Sequence, residues 1–424
     1  MQETLNQTAA DYIQLEDLHG AHNYHPLPVV LSKGEGVFLW DVEGNKYYDF
    51  LSAYSAVNQG HCHPKIIDAL IRQAKTLTLT SRAFHNDKLG PYEKFATEYF
   101  GYDKLLPINS GVEAVETAIK LCRKWAYKKK GIAENKAKII FVEGNFHGRT
   151  LAAISASIDP DARDDFGPYV PGYEIIPYND IEALRKAMQD PEVAGFLFEP
   201  IQGEAGVVVP DANYLVEARA LCTEHNVLFI ADEVQTGIAR TGKLLATCGN
   251  CSCEGFCENK YETRPDILIL GKAISGGVIP VSAVLADDEI MLCIQPGEHG
   301  STFGGNPLAC EVATAALEVI RDERLDARAE ELGQLFRSRM QELVDELNIA
   351  SLVRGKGLLN AVVINDSPDS STAWNICVSL KDHGLLAKPT HGNIIRFAPP
   401  LVMTEQQLHE CCDIIAEVFR KFEA

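Results

Sequence analysis

The chain has 424 residues, enough for two domains, and its 46% hydrophobic and 23% charged content is that of a globular protein. A formal net charge of −20 argues against a nucleic-acid or anionic-membrane partner, and no apolar run approaches the length of a membrane span. The opening MQETLNQTAADYIQLEDL is acidic and arginine-free, so a cytoplasmic location is expected, or a mitochondrial one if a presequence has been removed.

Residues 1–20 read as a short helical or irregular arm, and His25-Pro26-Leu27-Pro28 as extended chain, because proline biases its neighbours away from helix. Gly36–Leu51 carries two β-rich runs around Glu43-Gly44-Asn45, the chemistry of a hairpin turn. Ser52–Gly60 is a small, polar loop ahead of a helix at His63–Lys75. From about residue 104 short apolar runs alternate with amphipathic helices. The runs are Leu105–Ile108, Lys138–Val142, Tyr173–Ile176, Ala194–Phe198, Val227–Ala231, Ile267–Leu270 and Val281–Leu285. That rhythm predicts βαβ units.

A long helix over Leu308–Glu346, broken near Asp322–Leu325, leads into a mixed tail. The tail has strands near Leu352–Ile364 and Asn393–Phe397 and helices near Ala373–His383 and Thr404–Lys421. The expected fold is α/β: a large domain (55–310) with a mainly parallel, seven-stranded, doubly wound sheet, and a smaller α+β domain from both chain ends. The N-terminal arm and hairpin (1–54) join that smaller domain with the C-terminal segment (311–424).

Several strands end in reactive residues. Ile267–Leu270 runs into Gly271 and Lys272, an amine at the sheet edge where open α/β folds bind ligands. Val227–Ala231 runs into Asp232, an acid that is expensive there unless paired. Leu105–Ile108 runs into Asn109-Ser110-Gly111-Val112, a helix start that offers N–H groups to an anion. Lys138–Val142 leads to Phe146, His147 and Arg149, suited to stacking on a ring and holding a carboxylate. Alone, each has an ordinary explanation: solvated turn lysine, capping acid, Ser110 as helix cap, surface arginine. Together they specify a flat cationic ring, a phosphate and an aldehyde, which is pyridoxal phosphate.

At this point the motifs FIADEVQTGIARTGKLLA (Phe229–Ala246) and LILGKAISGGVIPVSAVLA (Leu268–Ala286) resemble the fold-type I, class III aminotransferases. EPIQGEAGVVVPD (Glu199–Asp211), EHGSTFGGNPLAC (Glu298–Cys310) and GLLAKPTHGNIIRFAPPL (Gly384–Leu401) extend the likeness over nearly the whole chain. It is nearest to the members that use L-ornithine as donor. The resemblance implies Lys272 as covalent anchor of the cofactor, Asp232 as partner of the pyridine nitrogen, and Gln235 at the ring hydroxyl. It also implies Gly111 and Val112 at the phosphate, Phe146 on the ring, and Ser301 and Thr302 at the neighbouring subunit's cofactor, hence a homodimer with shared sites. It gives His147 no firm role.

For substrate, the resemblance implies Arg149 as a carboxylate grip, Tyr24 near the α-amino and carboxylate end of ornithine, Tyr54 as the bulk that separates ornithine from 4-aminobutyrate use, and Glu204–Arg396 as a switchable pair. While paired, Arg396 is withheld from the α-carboxylate of ornithine; when Glu204 moves away, Arg396 takes that of glutamate. The implied reaction transfers the δ-amino group of ornithine to 2-oxoglutarate, giving glutamate 5-semialdehyde, which cyclises, and glutamate. An acetylornithine or 4-aminobutyrate aminotransferase is the alternative within the family. A pyridoxal-phosphate decarboxylase or racemase, or a non-catalytic protein of the same fold, is the alternative outside that chemistry.

Of twelve cysteines, eight are scattered (Cys62, Cys122, Cys222, Cys293, Cys310, Cys377, Cys411, Cys412) and read as small core residues in a reducing compartment. Cys248, Cys251, Cys253 and Cys257 form a tight cluster where the family usually runs directly on. They suit disulfides or a redox loop addressed by a thioredoxin-like partner, an exposed loop without that chemistry, or a zinc site, although zinc pairs are usually set further apart.

Overall fold

The structure, a computed structural model, describes residues 7–248 and 262–423. The arm forms a helix, Ala9–His19, opened by a capping box between Thr8 and Asp11. Strands β1 (Leu31–Glu35), β2 (Phe38–Asp41) and β3 (Lys46–Asp49) follow, β2 and β3 joined through the expected turn, in which Asp41 Oδ1 accepts from the Asn45 amide at 2.8 Å.

The large sheet holds β4 (Lys104–Ile108), β5 (Lys138–Val142), β6 (Tyr173–Ile176), β7 (Val193–Phe198), β8 (Leu228–Asp232), β9 (Ile267–Leu270) and β10 (Ser282–Ala286). Its order is β4-β10-β9-β8-β7-β5-β6, and only β10 runs antiparallel to its neighbours. Every residue of β7 to β10 is buried. Such strands lack a polar face because helices cover the sheet on both sides. Along β9, Ile267 and Ile269 join one hydrophobic cluster while Leu268 and Leu270 join another. Each of these side chains contributes about 1.5–3 kcal/mol by leaving water.

Beyond helices Pro307–Asp322 and Leu325–Glu346 come β11 (Ala350–Lys356), β12 (Leu359–Ile364), β13 (Leu385–Leu386), β14 (Lys388–Thr390) and β15 (Ile394–Phe397). One small sheet is antiparallel, in the order β11-β12-β15-β14, with Pro389 on its edge strand, where a missing N–H is tolerated. The other is β1-β2-β3-β13, so the N-terminal hairpin finds its fourth strand in the C-terminal segment. Gln59 ties the layers together, its Nε2 donating to the carbonyls of Ala273 (2.9 Å) and Ala316 (3.1 Å).

One feature was left unassigned by the sequence reading and one differs from it. Leu89–Phe100 is a helix although it contains Gly90-Pro91; the proline lies in the first turn, where its lost N–H has no intrahelical role. Cys62 is exposed rather than a core residue, because it occupies a left-handed position (φ 52°) between His61 and His63. The other seven scattered cysteines are buried. Cys248 is buried in a short 3₁₀ turn, whereas Cys251, Cys253 and Cys257 lie outside the described residues. Among the described residues no three His, Cys, Asp or Glu converge as metal ligands, and no helix is long and apolar enough to cross a membrane.

Candidate active site

The C-terminal ends of β4, β5, β7, β8 and β9 converge on one cavity of about 180 Å³. It is lined by Gly111 and Val112 after β4, Phe146 and His147 after β5, Glu199 after β7, Asp232, Val234 and Gln235 at the end of β8, and Lys272 after β9. Residues from sheet edges far apart in sequence meet because parallel strands all deliver their C-termini to one rim.

Lys272 opens a 3₁₀ turn with φ 44°, a left-handed conformation that a non-glycine residue adopts at a cost of about 1–3 kcal/mol. Burial pulls its pKa below the ordinary lysine value, opposed by Glu204 and assisted by Arg396. The neutral, nucleophilic amine is thereby more populated.

Asp232 is 4% exposed, and its Oδ2 accepts from His147 Nδ1 at 2.7 Å while Oδ1 accepts from the Val234 amide at 3.1 Å. The carboxylate needs the Nδ1 proton, so this bond fixes the tautomer of His147; its Nε2 is buried without a partner among the described residues. Sequence reasoning gave His147 no role, and its contact with an acid 85 residues away leaves no local mark.

Glu199 was also missed as a site residue. Its carboxylate accepts the Phe146 amide (2.8 Å) and the Gly203 amide (3.2 Å), tying the loop of Phe146 to that of Glu204. Burial pushes it up to about 7 against the pull of His147. The available signal was the one that flagged Asp232: an apolar strand, Val193–Phe198, running straight into an acid.

At the β4 side of the cavity, helix Gly111–Trp125 starts with a capping box in which Ser110 and Glu113 satisfy each other. The box uses the Ser110 and Glu113 amides, leaving the first-turn amides of Gly111 and Val112 for an anion. A Cβ on Gly111 would lie 2.9 Å from Val234 Cγ1, so the slot is narrow there. A cavity lined by the Phe146 ring and Val234, by the Asp232 acid, by the start of the Gly111 helix and by a buried amine fits pyridoxal phosphate.

Arg396, on β15 and 3% exposed, reaches this rim from the smaller sheet. Its Nη1 donates to Glu204 Oε1 at 2.8 Å and lies 3.4 Å from Gln235 Oε1, while Gln235 Nε2 donates to Glu204 Oε1 at 3.1 Å. Gln235 thus bridges the ion pair and lines the slot. Burial alone would raise Glu204, but Arg396 and Lys272 bring it below the usual glutamate value. Arg396 Nε is buried without a partner among the described residues, so one donor edge stays open.

The Arg396 guanidinium carbon stands 4.8 Å from the centroid of the Tyr54 ring. Tyr54 lies in a left-handed turn: Ser52, Ala53, Tyr54 and Ser55 have φ of 50°, 47°, 60° and 70°. The turn is held by Asp49 Oδ1, which accepts the Leu51 and Ser52 amides at 2.9 Å each, and Asp49 Oδ2 pairs with His61 at 2.7 Å.

Not every expected residue joins this cavity. Arg149 is exposed, its guanidinium 5.8 Å from the Phe146 ring centroid. Tyr24 is 70% exposed on the extended N-terminal segment, near enough to Tyr54 to help raise that phenol's pKa after burial and Glu204. Ser301 and Thr302 line a separate recess with Arg82, the Ser301 hydroxyl accepting from Asn109 at 2.8 Å.

The model of the family described as aminotransferase class-III matches residues 19–419. The mitochondrial ornithine aminotransferase of Drosophila ananassae is 60% identical over 400 residues, covering 94% of this chain and 89% of its own. A crystal structure of acetylornithine aminotransferase from Elizabethkingia anophelis superposes with a TM-score of 0.88 at 59% identity, covering 98% of this chain and 100% of that one. The ornithine aminotransferase of Toxoplasma gondii, whose structure shows partial occupancy of pyridoxal phosphate at its active site, gives 0.93 at 46% identity, covering 98% and 95%.

Proposed function

Since the chain belongs to the class-III aminotransferase family, we propose that it is a pyridoxal-phosphate-dependent ornithine δ-aminotransferase, passing the terminal amine of L-ornithine to 2-oxoglutarate. The products are glutamate 5-semialdehyde, which closes to a cyclic imine in water, and glutamate. The observation that carries the substrate reading is the Glu204–Arg396 pair beside Lys272, its arginine buried and its glutamate part-buried. A neutralised arginine leaves the α-end of ornithine without its grip and presents the δ-amine to the lysine.

When bound, pyridoxal phosphate supplies a carbonyl that takes up an amine and a ring that accepts electrons from the neighbouring carbon. Gly111 and Val112 hold its phosphate and Phe146 with Val234 flank its ring. Asp232, oriented by His147, presents negative charge to the ring nitrogen. Lys272 is the covalent anchor and then the general base that moves the proton at the substrate's δ-carbon. Donor and acceptor use one pocket in turn, so the kinetics are ping-pong. With glutamate or 2-oxoglutarate, Glu204 moves off and Arg396 binds the α-carboxylate, Arg149 serving as the second carboxylate contact.

The 59% identity to an acetylornithine aminotransferase keeps that donor as a second reading; Tyr54 against Arg396 and the closed Glu204 pair favour free ornithine. A donor panel decides. The yellow holoenzyme should bleach on adding ornithine and recover with 2-oxoglutarate. A clear preference for acetylornithine, or release of carbon dioxide without consumption of 2-oxoglutarate, would overturn the proposal.

The same proposal includes a homodimer with shared sites, supported by Ser301 and Thr302 lying in a recess apart from Lys272 and beside the 56% exposed Phe303. Sedimentation of the holoenzyme tests it. It also includes a thioredoxin-like partner at the Cys248–Cys257 loop, supported by the cysteine spacing; a thiol count with and without that reductant tests this.

A further inference from the structure

Arg240 is 0% exposed and heads the fully buried side chains by volume among the described residues. Its guanidinium donates to Asn58 Oδ1 from Nε (3.1 Å) and Nη2 (2.6 Å), and from Nη1 to the carbonyls of Leu358 (3.0 Å) and Pro399 (2.6 Å). All of these acceptors are neutral. Among the described residues no carboxylate pairs with it; Asp49 acts only through its field. A buried cation satisfied by neutral oxygens alone is costly, and it persists where its surroundings over-determine it.

The backbone leading into it is strained as well. Ile238 (φ 55°) and Ala239 (φ 71°) are left-handed, which for a β-branched residue is rare. The strain is locked by the same neighbours, since the Ile238 carbonyl accepts from Asn58 Nδ2 at 2.7 Å and the Arg240 carbonyl from the Leu358 amide at 3.1 Å.

The three tethered segments share one property. Asn58 follows Tyr54 by four residues, Pro399 follows Arg396 by three, and Leu358 enters β12, where Ala361 is in register with Arg396. The segments are also stitched to each other: the Ala398 amide donates to Phe50 O at 2.7 Å and the Leu401 amide to Asn58 O at 2.8 Å. We infer that Arg240 is a positioning residue for the substrate-carboxylate subsite, holding the turn of Tyr54 and the strand end of Arg396 in one fixed relation. It lines no part of the Lys272 cavity, so it acts through those two residues. The inference rests on the role proposed above for Arg396.

Two holoenzyme variants test it. Arg240→Met removes the cation, while Asn58→Ala removes the acceptor of two of its hydrogen bonds and leaves the arginine in place. The first readout is the affinity for glutarate, an unreactive dicarboxylate, followed calorimetrically. The second is retention of pyridoxal phosphate, and the third is the rate with an alkylamine that has no carboxylate. Misplacing a binding group by about an ångström costs up to about a hundredfold, so glutarate affinity should fall at least about tenfold in both variants. Cofactor retention and the alkylamine rate should stay within about twofold of wild type, since the groups that set them are untouched. Unchanged glutarate affinity in the folded variants, or all three readouts falling in step, would overturn it. If Arg240→Met does not fold, Asn58→Ala decides on the same readouts. A wild-type enzyme that binds glutarate but rejects ornithine would count against the proposed substrate, not against this role.

Discussion

The Arg396 guanidinium is shared between Glu204, whose Oε1 accepts from it at 2.8 Å, and the ring of Tyr54, whose centroid is 4.8 Å from its carbon. One neighbour is a partly exposed anion; the other is an aromatic face carried on a left-handed turn. In this arrangement the carboxylate masks the buried cation, and a displacement of Glu204 alone would free it.

Glu204→Gln removes the mask but keeps the shape. Breaking one side of a fully buried charge pair is worth about 2–5 kcal/mol, and this part-buried pair lies at the low end, so the preference for the δ-amine over the α-amine of ornithine should fall about tenfold. Transfer from the α-carbon gives a differently unsaturated ring, and proton NMR of the products reads the ratio. Unchanged regiochemistry would remove the pair from substrate selection.

Lys272→Ala should lose about a thousandfold or more in turnover with ornithine, the range of a general base combined with a covalent anchor. Borohydride should fix the cofactor to wild-type protein and release it from the variant on denaturation. A variant turning over at the wild-type rate would refute the assignment.

Asp232→Asn conserves volume and discards charge, and a loss of about 10²–10³ in turnover is expected. His147→Ala acts one step further out, removing a hydrogen bond to a charged group worth about 1.5–3 kcal/mol, so a loss of about tenfold or more is expected. A His147 variant with wild-type kinetics would reduce that residue to packing.

Glu199 carries a pH signature. Burial raises it to about 7 in the fold from an ordinary 4.5, so between those values the native state holds a proton that the unfolded state has lost. Stability therefore falls as pH rises through that window, by about 3 kcal/mol at most. Glu199→Gln should flatten urea midpoints between pH 5 and 7 (roughly the span over which the proton is lost). An unaltered pH slope would show that Glu199 does not titrate there.

Ala53, exposed in the left-handed turn with φ 47°, offers a strain test. A left-handed non-glycine residue costs about 1–2 kcal/mol, and glycine's extra unfolded-state entropy takes back about 0.5–1. Ala53→Gly should stabilise the protein by up to about 1 kcal/mol, seen as a higher melting temperature. A lower one would mean that the Ala53 methyl makes contacts worth more than the strain.

Runs of apolar β-formers placed all seven strands of the large sheet within a residue or so, because a strand buried on both faces writes its burial into consecutive residues. Lys272, Asp232, Phe146 and Gly111 were legible for the same reason: each stands at the end of such a run or within four residues of it, and the ends of parallel strands share one rim. The four left-handed residues at Ser52–Ser55 were not, since SAYS contains no glycine and the turn is imposed by the Asp49 carboxylate. Nor could the chain alone show that Arg240 is buried on neutral oxygens, that His147 meets Asp232, or that Glu199 ties two loops. Propensity and periodicity are local and survive in sequence. The pairing of Glu204 with Arg396, 192 residues apart, was implied by the family resemblance but by no local pattern; it depends on how the smaller sheet docks against the larger, and the packed tertiary structure decides it.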